Sequence, residues 1–301
     1  MSINRRRFLE LGLGATAIGL PATASGQSGQ EPELRSQVGC LVDTTLCVGC
    51  RKCEDACNRS NRLARPERPF TDRHVFREER RPTANAFTIV NSYPGEPSRV
   101  QLERDETFVK VQCLHCVDPA CVSGCIVGAL TKSAEGPVLY DADICIGCRY
   151  CIVACPFEIP AYEYLDPVAP RVRKCTYCVD DTERTGPQPA CAAACPMEAI
   201  LFGPRVDIMA LAHQRIEQRP DRYIDHVYGE HEVGGTSWVY LAGRPMAEVG
   251  MMDLPKEAPP RLTESIQHGI FNYGAVPIAL YGGLAGLMWL THRRQGTDDD
   301  E

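Results

Sequence analysis

The chain has 301 residues, with 32 Lys and Arg against 39 Asp and Glu and a formal net charge of −7. That length fits one or two domains, and an acidic balance excludes a nucleic-acid binder, whose affinity rests on neutralising phosphates. Seventeen cysteines call for metal or disulfide chemistry, and their spacing decides between the two.

The first segment is Asn4-Arg5-Arg6-Arg7-Phe8-Leu9-Glu10, followed by a short apolar stretch from Leu11 to Leu20 and then Ala22-Thr23-Ala24. Adjacent arginines, a short apolar core and an A-x-A pattern predict a twin-arginine signal peptide over residues 1–24. The apolar stretch is too short to span a bilayer. Gly12 and Gly14 lie inside it and are no nucleotide loop. The twin-arginine translocase is thus an expected partner, and it carries folded, cofactor-loaded proteins. Without residues 1–24, which include Arg5, Arg6, Arg7 and Glu10, the net charge moves from −7 to −9.

Cys40 stands alone; it reads as a small buried side chain, or else a reactive thiol. The other sixteen cysteines fall into four groups of four. They are Cys47-Cys50-Cys53-Cys57, Cys113-Cys116-Cys121-Cys125, Cys145-Cys148-Cys151-Cys155 and Cys175-Cys178-Cys191-Cys195. The first and third follow C-x2-C-x2-C-x3-C, the bacterial ferredoxin run that supplies thiolates to [4Fe–4S] clusters. The other two keep the opening C-x2-C and the closing C-x3-C and stretch the middle. Structural zinc usually takes C-x2-C pairs, so a third cysteine three residues on is surplus to it. A disulfide framework fits an exported protein but predicts scattered spacings. Four sets of four thiolates predict four [4Fe–4S] clusters.

In a ferredoxin run the fourth cysteine serves the other cluster of its pair. Cys125 leads through Gly128-Ala129-Leu130 and Val138-Leu139-Tyr140 to Asp141 and Cys145, one continuous unit. Asp43-Thr44-Thr45-Leu46-Cys47 opens a second unit, and Cys195-Pro196 leads into Ala199-Ile200-Leu201-Phe202, its matching strand. Four ligand sets follow: Cys47, Cys50 and Cys53 with Cys195; Cys175, Cys178 and Cys191 with Cys57; Cys113, Cys116 and Cys121 with Cys155; Cys145, Cys148 and Cys151 with Cys125. Asn58 and Ile126 stand where proline usually follows the fourth cysteine, a turn-shaping position. Arg51, Lys52, Arg149 and Lys174 lie beside the ligands; each either stabilises reduced clusters or is solvated surface. His115, inside Cys113-Leu114-His115-Cys116, reads as a residue near the cluster or on the surface, since four thiolates are already at hand.

Residues 58–107 read as a loop rich in Arg and Pro. Phe87-Thr88-Ile89-Val90 and Phe108-Val109-Lys110-Val111 read as a hairpin. Val206 to Gln218 has helical periodicity. Trp238-Val239-Tyr240-Leu241 is an apolar run that packs on the modules or on a partner. From Ile270 to Thr291 no residue is charged; about 22 residues at about 1.5 Å each match a bilayer core, and His292-Arg293-Arg294 follow. That predicts a transmembrane anchor over 270–291 with the tail in the cytoplasm and the cysteine-rich part outside it. Gly282-x-x-x-Gly286 would let a partner helix approach.

The expected fold class is α+β. Two nested ferredoxin-like modules are expected, an outer one from 36–60 plus 170–205 and an inserted one over 108–165. An insertion over 61–107, an extension over 206–265 and the single C-terminal helix complete it.

With these motifs the chain resembles the four-cluster iron–sulfur subunits of the dimethyl sulfoxide reductase type, and among them the HybA-like branch. Thr45-Leu-Cys-Val-Gly-Cys50, Gln112-Cys-Leu-His-Cys-Val-Asp-Pro119 and Ile146-Gly-Cys-Arg-Tyr-Cys151 carry the resemblance. Tyr228-Gly-Glu-His231, Gly234-Gly235-Thr236, Ser265-Ile-Gln-His268 and the terminal segment extend it over nearly the whole chain. The resemblance implies a non-catalytic subunit that relays electrons between a periplasmic nickel–iron hydrogenase, with its small and large subunits, and an integral membrane quinone-reacting subunit. It places the chain on the periplasmic face of a bacterial inner membrane. The equivalent relay beside a molybdopterin subunit is the alternative, and a metal-stabilised scaffold without redox duty is a third reading. No catalytic triad, phosphate loop or acid–base pair is present.

Overall fold

The structure is a computed structural model and describes residues 37–95, 106–179, 187–261, 266 and 275–295. The expected signal peptide lies outside the described residues, as do parts of the insertion and of the Cys178–Cys191 stretch.

Short strands and short helices alternate around a three-stranded sheet. Its centre is β1 (Val38–Asp43). β8 (Ile200–Pro204) lies antiparallel on one side, and β9 (Trp238–Leu241) lies parallel on the other. A central strand covered on both faces must be apolar throughout, and Cys40, Leu41 and Val42 are all buried. Alternation divides their duties. Cys40 and Val42 point with Trp238 and Tyr240 into the core that holds Cys53, Cys113, Cys175 and Cys191. Leu41, Val239 and Leu241 point the other way, onto the helix Arg205–Gln218. That helix buries Ile208, Ala212 and Ile216, a stripe at i, i+4 and i+8 that produces the periodicity seen in the sequence.

Asp43 ends β1 and is fully buried. Its Oδ1 accepts the Thr45 amide at 3.0 Å and the Thr45 hydroxyl at 2.6 Å. Its Oδ2 accepts Arg215 Nη1 and the Tyr223 hydroxyl, each at 2.7 Å. One carboxylate thus fixes the turn into Cys47 and ties the Arg205–Gln218 helix to the sheet. Asp141 repeats the device, accepting the Asp143 amide at 2.9 Å four residues before Cys145.

The outer cysteine motifs meet through α1 (Lys52–Ser60), which packs on the short helix α4 (Ala190–Ala193). The inner motifs meet through α2 (Ala120–Ser123) on α3 (Tyr150–Ala154). β4 (Leu130–Lys132) and β5 (Val138–Tyr140) form the hairpin that links them. Two further short strands, β6 (Ala161–Tyr162) and β7 (Val172–Arg173), pair antiparallel. The expected pair of strands around residues 87–90 and 108–111 is present as β2 (Thr88–Pro94) and β3 (Glu106–Gln112), antiparallel in continuous register.

The expected C-terminal helix is present as α6 (Ala275–Gln295), which continues the helix numbering after α5, the Arg205–Gln218 helix. Its spanning role is not supported. Among the described residues no helix is long and apolar enough to cross a membrane. Pro277, Gly282, Gly283, Gly286 and Tyr281 dilute its apolar content, and its last turn already contains His292, Arg293 and Arg294. The Ile270–Gly274 part of the expected span lies outside the described residues.

Candidate iron–sulfur centres

Two of the cysteine groups come together around cavities, with the fourth cysteine drawn from a different motif. Cys47, Cys50, Cys53 and Cys195 line one cavity, closed by Val42, Val90 and Ile200. Cys113, Cys116, Cys121 and Cys155 line a second, closed by Leu114, Phe157 and Ile159. Cys57 has Cys175, Cys191 and Cys178 as electrostatic neighbours. Cys151 has Cys145, Cys148 and Cys125 as electrostatic neighbours. Eight of the sixteen expected positions therefore line two cavities, four to each.

Local backbone explains how short runs wrap a cavity. Gly49 and Gly147 both sit in the left-handed region, at φ 65° and 70°, and Arg51 and Arg149 follow at 59° and 63°. Each pair turns the chain so that successive cysteines face one point before the helix begins. A Cβ on Gly49 would lie 2.5 Å from the Phe108 ring, so only glycine fits.

The chemistry of these groups calls for a cationic core. Burial pushes the thiols of Cys53, Cys57 and Cys116 well above their usual pKa, and neighbouring cysteines add to the rise. Burial likewise raises Cys121 and Cys175 to about 12 and Cys151 and Cys155 to about 11. Buried thiols that resist ionising become thiolates when they bind a metal centre. Donors are in place for such a group: the amide of Ala129 donates to Cys125 Sγ at 3.2 Å and that of Tyr177 to Cys175 Sγ at 3.4 Å. Asn61 Nδ2 donates to Cys57 Sγ at 3.6 Å and Ser60 Oγ to Cys178 Sγ at 3.8 Å. Arg51 lines the first cavity, and its buried Nε has no protein partner, a donor left over for sulfur. Among the described residues no group of three Cys, His, Asp or Glu is tight enough for a single ion. A cube holds its thiolates at separate corners, farther apart than the ligands of one ion.

The remaining predicted residues sort clearly. Arg51 and Lys174 are buried, while Lys52 and Arg149 are exposed. Arg51 binds Glu54, and Lys174 donates to the carbonyls of Val138 at 2.6 Å and Cys175 at 3.1 Å. His115 is fully buried; its Nδ1 accepts the Val138 amide at 2.8 Å and its ring meets Tyr177 edge-on. Burial, then the charges of Lys174 and Lys132, hold its pKa well below the usual value, so it is neutral. Cys40 is fully buried and accepts the Tyr177 hydroxyl at 3.4 Å, and burial pushes its thiol well up. It is a packing residue, inert as a thiol. Trp238 lies in the core of the protein, which settles the choice left open for its apolar run.

Three residues were missed in the sequence. Glu54 is 3 % exposed and joins Arg51, Arg80 and the Val90 amide. Tyr177, between Cys175 and Cys178, packs on both His115 and Trp238. Lys110 lines the first cavity. Its placement two residues after Phe108 on an alternating strand was the available signal.

Comparison with known proteins agrees with this arrangement. Residues 105–205 match the 4Fe-4S dicluster domain family. The hydrogenase-2 operon protein HybA of Escherichia coli O157:H7 is 33% identical over 328 residues, covering 99% of this chain and 97% of that one. The chain belongs to the HybA-like iron–sulfur subunits of the dimethyl sulfoxide reductase type. A protein of Nitratidesulfovibrio vulgaris is 43% identical over 289 residues, covering 94% of this chain and 76% of that one. The iron-sulfur subunit of the nitrate-inducible formate dehydrogenase of Escherichia coli is 32% identical, covering 90% and 91%. As a HybA-like subunit the chain is a non-catalytic electron-transfer protein, it contains a ferredoxin-like domain, and it carries [4Fe–4S] clusters.

Proposed function

We propose that the chain carries four [4Fe–4S] clusters and relays electrons between a periplasmic nickel–iron hydrogenase and a membrane quinone-reacting subunit. The observation that supports this reading is a pair of cavities, each lined by three cysteines of one motif and a fourth from another. When bound, each cluster supplies reversible one-electron exchange. The protein's part is to hold, space and screen the four sites.

Proximity orders them. Cys53 of the first group has Cys191 of the next as an electrostatic neighbour, Cys175 has Cys113, and Cys121 has Cys151. The relay then runs from Cys47-Cys50-Cys53-Cys195 through Cys57-Cys175-Cys178-Cys191 and Cys113-Cys116-Cys121-Cys155 to Cys125-Cys145-Cys148-Cys151. Cys50 and Cys148 are exposed, one in each terminal group, whereas the middle groups keep Cys57, Cys113, Cys121, Cys175 and Cys191 buried. Exposed ends let partners exchange electrons, and buried middle sites exclude water and oxidants. Ile144, Ile146, Tyr150 and Val153 form an exposed apolar surround at the Cys148 end, suited to a protein partner.

The same proposal places the chain on the periplasmic face of a bacterial inner membrane, exported by the twin-arginine route through Arg5 and Arg6. Helix α6 would hold it there against apolar surroundings, since its described side chains are exposed and include Ile278, Leu280, Leu284 and Leu287. The nested modules 36–60 plus 170–205 and 108–165 belong to this reading. A molybdopterin oxidoreductase as the catalytic partner is the second reading, favoured by the 32% identity to the formate dehydrogenase subunit. Whether a nickel–iron or a molybdopterin subunit copurifies separates the two.

The relay is tested with Cys148→Ala in the assembled complex. Hydrogen oxidation with an artificial dye that accepts electrons at the catalytic subunit is expected to persist, and quinone reduction to fall steeply. Survival of both activities with the altered cluster confirmed removes that cluster from the path. Loss of both in an assembled complex contradicts the relay.

A further inference from the structure

The buried cations near the cysteine groups differ in what they bind. Arg51 is neutralised by Glu54 at 2.8 Å and donates to the carbonyls of Asp72 and Pro69. Lys174 and Lys132 donate to backbone carbonyls, Lys132 to Cys116 O at 2.8 Å and to Gly136 O.

Lys110 is different. It is 2 % exposed, in the middle of β3. Its Nζ donates to the neutral Gln112 Oε1 at 2.8 Å and lies 4.2 Å from the centroid of the Trp238 ring. Gln112 in turn donates to the Tyr240 hydroxyl at 2.7 Å, and that hydroxyl donates to Lys110 O at 3.0 Å, so the lysine is held at both ends. Among the described residues no carboxylate forms an ion pair with it. Its side chain lines the cavity of Cys47, Cys50, Cys53 and Cys195. Trp238, on which it stacks, also packs against Tyr177, which lies between Cys175 and Cys178. Trp238 packs in the same core as Cys53 of the first group and Cys175 and Cys191 of the second. Lys110 is thus a buried amine with no carboxylate partner, in the lining of one cysteine group and stacked on a ring that packs with the cysteines of the next.

We propose that Lys110 is a shared counter-cation for the clusters held by Cys47-Cys50-Cys53-Cys195 and by Cys57-Cys175-Cys178-Cys191, raising the reduction potential of both. This rests on the reading that both groups hold clusters. A cation beside a cluster stabilises its reduced, more negative form. One ammonium between two clusters acts on both couples and leaves the group at Cys125, Cys145, Cys148 and Cys151 untouched.

The experiment is an anaerobic redox titration of the full chain followed by electron paramagnetic resonance, with iron counted per chain. It compares wild type with Lys110→Met, Lys110→Gln and Lys110→Arg; Cys148→Ala assigns the far couple. In both neutral variants two couples are expected to move negative by at least tenfold in their reduction equilibrium, about 59 mV for one electron. The far couple stays in place and iron content is unchanged. Lys110→Arg is expected to stay within a few-fold of wild type. Unmoved couples in a fully loaded neutral variant overturn the proposal, as does an arginine variant that moves as far as the glutamine one. Movement of a single couple overturns the sharing. If neither neutral variant loads iron while Lys110→Arg does, the requirement for charge is supported. If all three fail to load, Lys110 serves packing and the proposal falls. Absence of clusters from these groups in the wild type is a separate result, which removes the underlying reading.

Discussion

Replacing Glu54 with alanine tests how the protein holds two cluster sites with one helix. Glu54 lies on α1 between Cys53 and Cys57, which belong to different groups. Its carboxylate accepts Arg51 Nη2 at 2.8 Å, Arg80 Nη2 at 2.7 Å and Nη1 at 3.2 Å, and the Val90 amide at 2.7 Å. Three of these bonds carry a guanidinium charge, and both Glu54 and Arg51 are 3 % exposed. Removing one partner of a buried ion pair costs about 3–5 kcal/mol, because the other charge is left uncompensated. Arg51 keeps the carbonyls of Pro69 and Asp72, and Arg80, at 24% exposure, keeps the Val90 carbonyl and some water. The lower end applies, about 3 kcal/mol, or about a hundredfold in equilibrium. Asp55 on the same helix is the control. It pairs with Arg59 and Arg65, which are 59% and 58% exposed, so Asp55→Ala should cost about 0–1 kcal/mol. The assay is anaerobic guanidinium unfolding followed by loss of cluster absorbance. Glu54→Ala should bleach at clearly lower denaturant than wild type, and Asp55→Ala close to it. Equal midpoints for the two variants would refute the reasoning.

Other expectations follow from the same geometry. Gly49→Ala should prevent loading of the Cys47-Cys50-Cys53-Cys195 site, because its Cβ meets Phe108 at 2.5 Å; Gly128→Ala, at φ 69° with nothing within 4 Å, should cost only about 1–2 kcal/mol of backbone strain. Iron analysis and thermal unfolding of the pair check this. Cys57→Ala should convert or remove the cluster of Cys175, Cys178 and Cys191 and leave that of Cys47, Cys50 and Cys53 intact, as read by the spectrum of the reduced protein. Trp238→Ala should cost about 3–5 kcal/mol in the same guanidinium assay, because this fully buried ring joins β9 to Tyr177 and Lys110. An Arg5→Lys/Arg6→Lys variant should stay in the cytoplasm on fractionation.

Where the spacing is local, the chain can be read directly. The cysteine runs, the alternation in β2 and β3 and the stripe of α5 each depend on neighbours a few residues away, and each appears where the pattern puts it. Long-range partners leave no such mark. Nothing in Trp238-Val239-Tyr240-Leu241 says that it lies parallel to a strand some two hundred residues earlier. Lys110 reads as one more residue of an alternating strand until Trp238 is found under its ammonium. Glu54 reads as a solvated helix position until Arg80 folds back from the insertion. In the C-terminal segment a run without charge reads as a span, whereas among the described residues no helix is long and apolar enough to cross a membrane.

The central claim is that sixteen cysteines hold four cubes in one chain. Iron and acid-labile sulfide, measured on anaerobically purified full-length protein alongside the resonance spectrum of the reduced state, test it most directly. The account predicts about sixteen iron atoms per chain and four interacting four-iron signals. A stable value of about eight to twelve, or a three-iron signal in the protein as isolated, would contradict it.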